Sequence, residues 1–574
     1  ISVKNATKDL NSQGSQYLPE ESMEFVNKIK EIFEEVRKNG SYEIKIAKSD
    51  SPLINENFMK SINNGIDLYK EYLQNGVANK ENLHLISDLK SKIIIENVGG
   101  SAYNTLSKIL SAFNISDKFV WQNIEEDPFF HGIGKYDTDP KGNKCFYDYS
   151  VDATVLAKNK DGNPFFPVID TLHYDEKLKD YPIGTVVLIT DPDHDRLTVC
   201  QIEALSSVDF LDEVGISYTK LDNDRVLCVY SANQSFLLIM DFWAKQLKAA
   251  GRWDNHSRFM IKTTASAKSW DEWAKFNNVK VVNVPVGFKE IANVMKKVEK
   301  QIINDVNKDV VITDVFGRDV NLGKNPRMIF GGEESGGMII GSEELIKSKA
   351  GRVAIAMREK SASEAIIVAS ALAGKLEHEN KMLSKALEEI FVSNEIIAKY
   401  DIRVDISYYN ESEPDINKLI KAKKDGEALR TKNDLFYLTM ALAEYEGLIT
   451  LDNVKSILKS TFKGLNFDNL IDIKFVGDGT FMQFTDKFIE IRPSGTDAKT
   501  KAYGAGSNKE DISKFAKILG NYSGDLNEEY IALIPKDYYN NAKEKSMTEY
   551  LKFTNKDMDT RIFEIPNYRE TLGI

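Results

Sequence analysis

Short β-branched runs alternate with amphipathic helical patterns along most of this chain, and that alternation confines it to α/β architecture with largely parallel sheets. In KSKIIIENVGGSAYNTLSKILSAF, Ile93 to Ile95 read as a strand, Gly99 and Gly100 as a turn, and the remainder as a helix. RVLCVYSANQSFLLIMDFWAKQLKAAG repeats the pattern, with RFMIKT and VKVVNVPV as further strands. A third unit begins at RMIFGGEESGG and runs into the long helix of SASEAIIVASALAGKLE. After about residue 376 the texture changes to charged helices and shorter strands, IDIKFVGDGTFMQFTDKFIEIRPSGTD among them. The expected fold class is therefore α/β, successive mixed-sheet domains followed by a C-terminal α+β domain. At 574 residues the chain is long enough for roughly three or four domains of about 150 residues each.

Hydrophobic residues make up 42% and charged residues 28%, ordinary globular usage. A net charge of -12 argues against broad binding to nucleic acid or to an anionic membrane, so any anion site must be local. The three cysteines, Cys145, Cys200 and Cys228, have no zinc or disulfide spacing and fit a reducing cytoplasm. No apolar stretch approaches the length of a membrane span, and the first residues lack the order of a signal peptide. The expected localisation is cytoplasmic. The opening ISVKNATKD, without an initiating methionine, is what a fragment would show.

In TVVLITDPDHDRLTV a buried-type strand runs straight into Asp191, Asp193 and Asp195. Alternate side chains of an extended loop point the same way, so the three carboxylates can converge while Pro192 and His194 face away. Like charges repel unless a cation sits between them. Hard oxygen ligands at the end of a parallel strand suit magnesium. A calcium EF-hand does not fit, because its glycine position is Arg196 and its bidentate glutamate position is Ile202. An acidic surface turn leaves unexplained why VVLIT leads into the charges, and His194 by itself reads as solvated.

Three further segments carry chemistry. FIEIRPSGTDAKTKAYG offers the guanidinium fork of Arg492, the hydroxyls of Ser494 and Thr496, the open backbone of Gly495 and the ammonium of Lys499. These are phosphate-binding parts, although a Pro-Ser-Gly turn with a solvated arginine would account for the segment alone. In RMIFGGEESGGMIIG, Glu333 and Ser335 sit two apart and can share hydrogen bonds with vicinal sugar hydroxyls, while a hairpin explains it equally well in isolation. In VNVPVGFKEIANVMKKV, Lys289 opens a helix, where lysines are ordinarily solvated.

Together these segments resemble the α-D-phosphohexomutases, the phosphoglucomutase and phosphomannomutase superfamily. Asp191 to Arg196 match the family's Asp-x-Asp-x-Asp-Arg metal loop, Gly332 to Ser335 its Gly-Glu-x-Ser sugar loop, Arg492 to Thr496 its phosphate loop, and Lys289 its third-domain lysine. The DPD and RPSGT forms are most similar to the phosphoglucomutase branch that includes phosphopentomutases. The resemblance implies four domains around a central cleft: 1–88 as the remainder of a phosphoserine domain, 89–220 for metal, 221–375 for sugar, and 376–574 for phosphate with a C-terminal extension. It implies an isomerase of carbohydrate metabolism that interconverts sugar 1-phosphate and 6-phosphate, glucose first, with mannose or pentose phosphates as alternatives. A phosphoserine, Mg2+ and glucose 1,6-bisphosphate would serve as donor, metal and intermediate. Arg196 would steady the transferring phosphoryl group, Lys289 would act as acid/base or phosphate contact, and Glu333, Ser335, Arg492, Ser494, Gly495, Thr496 and Lys499 would bind substrate.

Two departures stand out. Glu96 and Asn97 occupy the turn where relatives carry a histidine, and no Thr-Ala-Ser-His-Asn-Pro phosphoserine loop occurs in the chain. The superficially similar KTTASAKSW, with Ser266, follows RFMIK and so belongs by order to the third domain. Either the chain starts downstream of its nucleophile, or it is a non-catalytic sugar-phosphate-binding relative that kept only the clamp.

Overall fold

A computed structural model of the chain describes residues 10, 14–40, 48, 50–127, 130–133, 152–158, 164–347, 353–410, 413, 415–494 and 498–555. The expected alternation is present. A six-stranded sheet has the order Phe119–Gln122, Ile93–Glu96, Val186–Thr190, Leu197–Ala204, Arg225–Tyr230, Ser217–Lys220. Its first three strands are parallel and its last three antiparallel. Ile93–Glu96 and Val186–Thr190 are buried throughout, which is why both read as unbroken apolar runs rather than alternating ones.

A second sheet has the order Lys280–Val284, Arg258–Thr263, Arg327–Gly332, Met338–Ile339, the first three parallel. The third is fully antiparallel, ordered Tyr400–Ser407, Lys499–Gly506, Lys487–Pro493, Gly479–Phe484, Leu470–Val476. It is backed by the helix Ile416–Tyr445, whose Phe436 to Ala443 stretch is buried while its lysine-rich start is exposed or half-buried. These are the mixed α/β units and the C-terminal α+β unit that the pattern predicts.

Two of the expected boundaries move. Arg225–Tyr230, read as opening a third unit after residue 220, pairs with Leu197–Ala204 and Ser217–Lys220 and completes the second unit's sheet. The chain crosses at Ser231, where a reciprocal cap starts the helix Ala232–Ala249: Gln234 donates its backbone N–H to Ser231 Oγ, and Ser231 donates its own to Gln234 Oε1. The break expected at 376 also fails, because the helix Leu383–Ser393 places Leu387 and Ile390 in the same core as Phe236, Leu237 and Met240. The C-terminal unit begins with the strand Tyr400–Ser407. Strand-then-helix is a local pattern, and it does not say which sheet a strand joins.

Among the described residues no helix is long and apolar enough to cross a membrane.

The core that carries the second sheet centres on aromatic contacts. Phe330 is fully buried, with its ring 5.2 Å from Trp270 in an edge-on arrangement and 5.7 Å from Phe236. Phe330→Ala is expected to lower the unfolding free energy by about 3–5 kcal/mol, the cost of a buried ring and its cavity. Urea unfolding reads this directly, and a loss below about 1 kcal/mol would contradict the packing described.

Candidate active site

The strand Val186–Thr190 delivers its aspartates into a tight loop. Asp191 Oδ1 accepts the backbone N–H groups of both Asp195 and Arg196 at 2.9 Å, and His194 takes a left-handed φ of 60° to turn the chain. One carboxylate oxygen from each of Asp191, Asp193 and Asp195 lies within 4.8 Å of the others. Burial first, then the charges of Asp195 and Asp193, push the Asp191 carboxyl up to about 8. Three hard oxygens this close, one of them reluctant to ionise without a counter-charge, fit a magnesium ion. Arg196 Nε stands 3.7 Å from Asp191 and 3.6 Å from Asp195.

His194 is not solvated as its sequence context predicts. Its Nε2 lies 2.9 Å from Ser363 Oγ, its carbonyl accepts from Ala362 N–H at 3.1 Å, and burial holds its pKa down to about 4. The neutral imidazole thus staples the aspartate loop to the start of the helix Ala362–His378.

The other side of the loop rests on the turn that departs from the resembling family. Ser101 N–H donates to Pro192 O at 2.9 Å, and a Cβ on Gly100 would lie 2.4 Å from that same oxygen. Glu96 and Asn97 are both fully buried. Glu96 accepts from Val98 N–H, Asn123 Nδ2 and Tyr174 OH at 2.8, 2.9 and 3.0 Å, and Asn97 Nδ2 donates to Gly100 O at 2.7 Å. These two residues brace the turn that carries Pro192.

The GEES segment meets the aspartate loop. Leu197 N–H donates to Gly336 O at 3.1 Å, and Ser335 hydrogen-bonds to Glu333. Glu333 is buried against a residue the sequence did not single out, Lys360, whose Nζ donates to Glu333 Oε1 at 2.6 Å and stands 3.6 Å from Asp195 Oδ1. Burial would raise the Glu333 carboxyl, but Lys360, Ser335 and Arg196 outweigh it and hold it below the ordinary glutamate value. Lys360 is raised, because Glu333 and Asp195 overcome its burial. Gly287 and Lys289 lie at the start of the helix Phe288–Asn304, and the Phe288 ring sits 6.0 Å from Lys360 Nζ. Asp191, Asp193, Asp195, Arg196, Glu333 and Ser335 therefore share one neighbourhood, while Lys289 is placed only by its position in the first turn of that helix.

Arg492 and Ser494 lie at the end of the strand Lys487–Pro493 and Lys499 at the start of Lys499–Gly506. Arg492 Nε donates to Asp478 Oδ1 at 2.7 Å, and Ser494 N–H donates to Lys499 O at 2.8 Å. Gly495 and Thr496 lie outside the described residues. Two cations that sequence reading passed over belong here. Lys501 is directly opposite Arg492 in the sheet, and Arg430, from the long helix, donates to Ser494 O at 2.8 Å. Glu334, held by Thr263 Oγ1 at 2.8 Å, acts electrostatically on Arg492 and Lys501, so the GEES segment looks both ways across the cleft. Ser266 is fully buried with its Oγ 2.8 Å from Thr263 Oγ1, which removes it as a nucleophile.

A model of the phosphoglucomutase/phosphomannomutase alpha/beta/alpha domain III matches residues 232–393, the stretch between the cap at Ser231 and the end of the helix Leu383–Ser393. Phosphoglucomutases of Staphylococcus aureus strains bovine RF122 / ET3-1 and MRSA252 are 22% identical over 501 and 510 residues, covering 87% of this chain and 69% of theirs. A putative phosphomannomutase from Thermus thermophilus superposes with a TM-score of 0.39 at 14% identity, covering 75% of this chain and 60% of its own. An Aspergillus fumigatus N-acetylphosphoglucosamine mutase in complex with GlcNAc-6P and magnesium gives 0.37 at 10% identity, covering 78% and 64%. The chain thus spans under two thirds of the length of both of these solved structures.

The Glu333–Lys360 pair has a pH signature. A carboxyl held below its unfolded value of 4.5 contributes stability above that pH, and the contribution is lost as pH falls through the folded value. Lys360→Met strips buried Glu333 of its direct ion-pair partner, so stability at pH 7 should drop by about 3–5 kcal/mol. The deficit should shrink towards pH 4, where protonation relieves the stranded charge. Urea unfolding of both proteins across this range is the check, and a pH-independent difference would contradict the pairing.

Proposed function

Because the chain belongs to the α-D-phosphohexomutase superfamily, we propose that it moves a phosphoryl group between the C1 and C6 oxygens of a hexose monophosphate, glucose 1-phosphate and glucose 6-phosphate first, through a bisphosphorylated intermediate. The observation that supports this reading is an acidic triad beside a hydrogen-bonding Glu333–Ser335 pair, with Glu334 of the same segment acting electrostatically on the cationic strand pair Arg492 and Lys501.

Magnesium bound by Asp191, Asp193 and Asp195 would offset charge on the transferring phosphoryl group. The chain's own groups do the rest. Arg196 is held over the triad to steady phosphoryl oxygens. Glu333 accepts from, and Ser335 shares, the sugar hydroxyls that overlay in the two orientations of the ring. Lys360, kept protonated by its two carboxylates, fixes Glu333 against the metal loop. Lys289 is the acid/base or phosphate contact. Arg492, Ser494 and Lys499, with Gly495 and Thr496, hold the phosphate that does not react. The donor in this reading is a phosphoserine brought to the metal loop, and Ser266 is not it.

The direct test is a coupled assay for glucose 6-phosphate formed from glucose 1-phosphate, with Mg2+ and glucose 1,6-bisphosphate, on the protein its gene encodes. Binding of the sugar phosphate without turnover would instead identify a non-catalytic relative. Asp193→Asn should weaken Mg2+ binding in calorimetry and abolish turnover with little loss of stability, since removing one carboxylate from an acidic cluster relieves repulsion. Unchanged Mg2+ dependence would sink the metal assignment. Arg492→Ala should weaken glucose 1-phosphate binding by about 1.5–3 kcal/mol, the scale of a charge-assisted hydrogen bond. Free glucose should be unaffected, and equal losses for both ligands would mean the loop is not a phosphate site.

A further inference from the structure

The helix Ala362–His378 supports the aspartate loop, and it is held near both ends by residues from earlier in the chain. Near its C-terminal end, Glu377 accepts the backbone N–H groups of Lys90 and Ser91 at 2.7 and 2.9 Å. At its start stand two tyrosines of the helix Pro52–Asn75. The Tyr69 hydroxyl lies 2.5 Å from Ser361 Oγ, and the Tyr72 hydroxyl donates to Glu364 Oε1 at 2.7 Å. Residues three apart on a helix share a face, so the tyrosines meet Ser361 and Glu364 as a matched set. Their rings stack on each other, with centroids 6.3 Å apart and an interplanar angle of 10°.

From there the hydrogen bonds run on to the aspartate loop. Ser361 is the N-cap of the helix, and its Oγ accepts the Ser363 N–H at 3.3 Å. Ser363 Oγ hydrogen-bonds to His194 Nε2 at 2.9 Å, and the N–H of Ala362 donates to the His194 carbonyl at 3.1 Å. His194 Nδ1 is buried with no partner among the described residues, so Ser363 alone orients the ring by hydrogen bonding. His194 stands between Asp193 and Asp195 in the chain. A displacement of the helix start therefore displaces the loop that carries both carboxylates. Tyr69 and Tyr72 fix that start from a helix that carries neither the aspartates nor the GEES turn.

We propose that Tyr69 is a positioning residue for the magnesium site, acting through Ser361, Ser363 and His194, with Tyr72 as its brace on Glu364. The proposal rests on the reading of Asp191, Asp193 and Asp195 as magnesium ligands. Tyr69 sets the pose of the loop rather than supplying an oxygen to the ion, so the affinity of the site depends on a hydroxyl from a distant part of the chain.

Calorimetric titration of the full chain with Mg2+, without sugar phosphate, tests this alongside hydrogen exchange of the loop amides in the metal-free protein. Tyr69→Phe keeps the ring and removes only the hydroxyl. It should weaken Mg2+ binding about fivefold, the worth of one hydrogen bond, and speed exchange at Asp195 and Arg196. Ser361→Ala should do the same, and Ser361→Thr, which keeps a capping hydroxyl, should restore affinity. Ser363→Ala should weaken binding about tenfold, the low end for a group that orients a metal site from outside the ligand shell. Combined with Tyr69→Phe it should weaken binding no further, because the two act along one path. Thermal unfolding of each variant is followed in parallel. A lowered midpoint with Mg2+ affinity and loop exchange unchanged would make the tyrosine a fold stabiliser only and overturn the proposal, as would additive losses in the double variant. Where Tyr69→Phe does not fold, Ser361→Ala against Ser361→Thr decides the same question. Asp193→Asn distinguishes the two levels: if it weakens Mg2+ binding and Tyr69→Phe does not, only the tyrosine's role fails, whereas no effect of Asp193→Asn removes the magnesium site itself.

Discussion

A buried ammonium holds the cleft together. Lys360 lies between Glu333 and Asp195, and so ties the GEES turn of one sheet to the aspartate loop of another. Taking three charges out of water is costly, and the attraction repays it only when geometry is close. The glycines beside the turn make that geometry available. A Cβ on Gly337 would lie 2.3 Å from Lys360 Cδ, and one on Gly336 would lie 3.3 Å from the Arg196 Cβ. Two cations pass the turn because it has no side chains there.

Charge is sorted along the cleft rather than spread over the molecule. One pole is the triad of aspartates, crowded enough to push Asp191 up to about 8. The opposite pole is the strand pair carrying Arg492 and Lys501. Glu333 and Glu334, adjacent in sequence, point to opposite poles, the first to Lys360 and the second towards the C-terminal cations. A net charge of -12 is thus compatible with phosphate binding, because the positive field needed is local and partly enclosed.

The aspartate loop is held by its backbone as much as by its carboxylates. Pro192 is gripped by the turn that Glu96 and Asn97 brace, and His194 by Ser363. Such supports matter because ligand oxygens that converge by accident of a mobile loop lose the geometry that favours a cation. The turn that differs from the resembling family is therefore structurally committed, with its polar atoms engaged by the scaffold.

The sequence alone was enough to bring out the acidic loop, because a run as apolar as VVLIT followed by alternating aspartates leads a buried strand end into converging carboxylates. It also announced the α/β units and the antiparallel C-terminal unit, since strand and helix periods are local properties. Tertiary structure decided the remainder. Lys360 is 27 positions from Glu333 and looks like any helix-flanking lysine until packing brings the two together. Arg430 is an ordinary helix arginine by composition, and only helix docking brings it to the Ser494 carbonyl. His194 reads as exposed because its burial comes from a helix that begins at Ala362. The strand Arg225–Tyr230 could not be assigned to its sheet from its own residues, because hydrogen-bond pairing between strands depends on partners that local sequence does not contain.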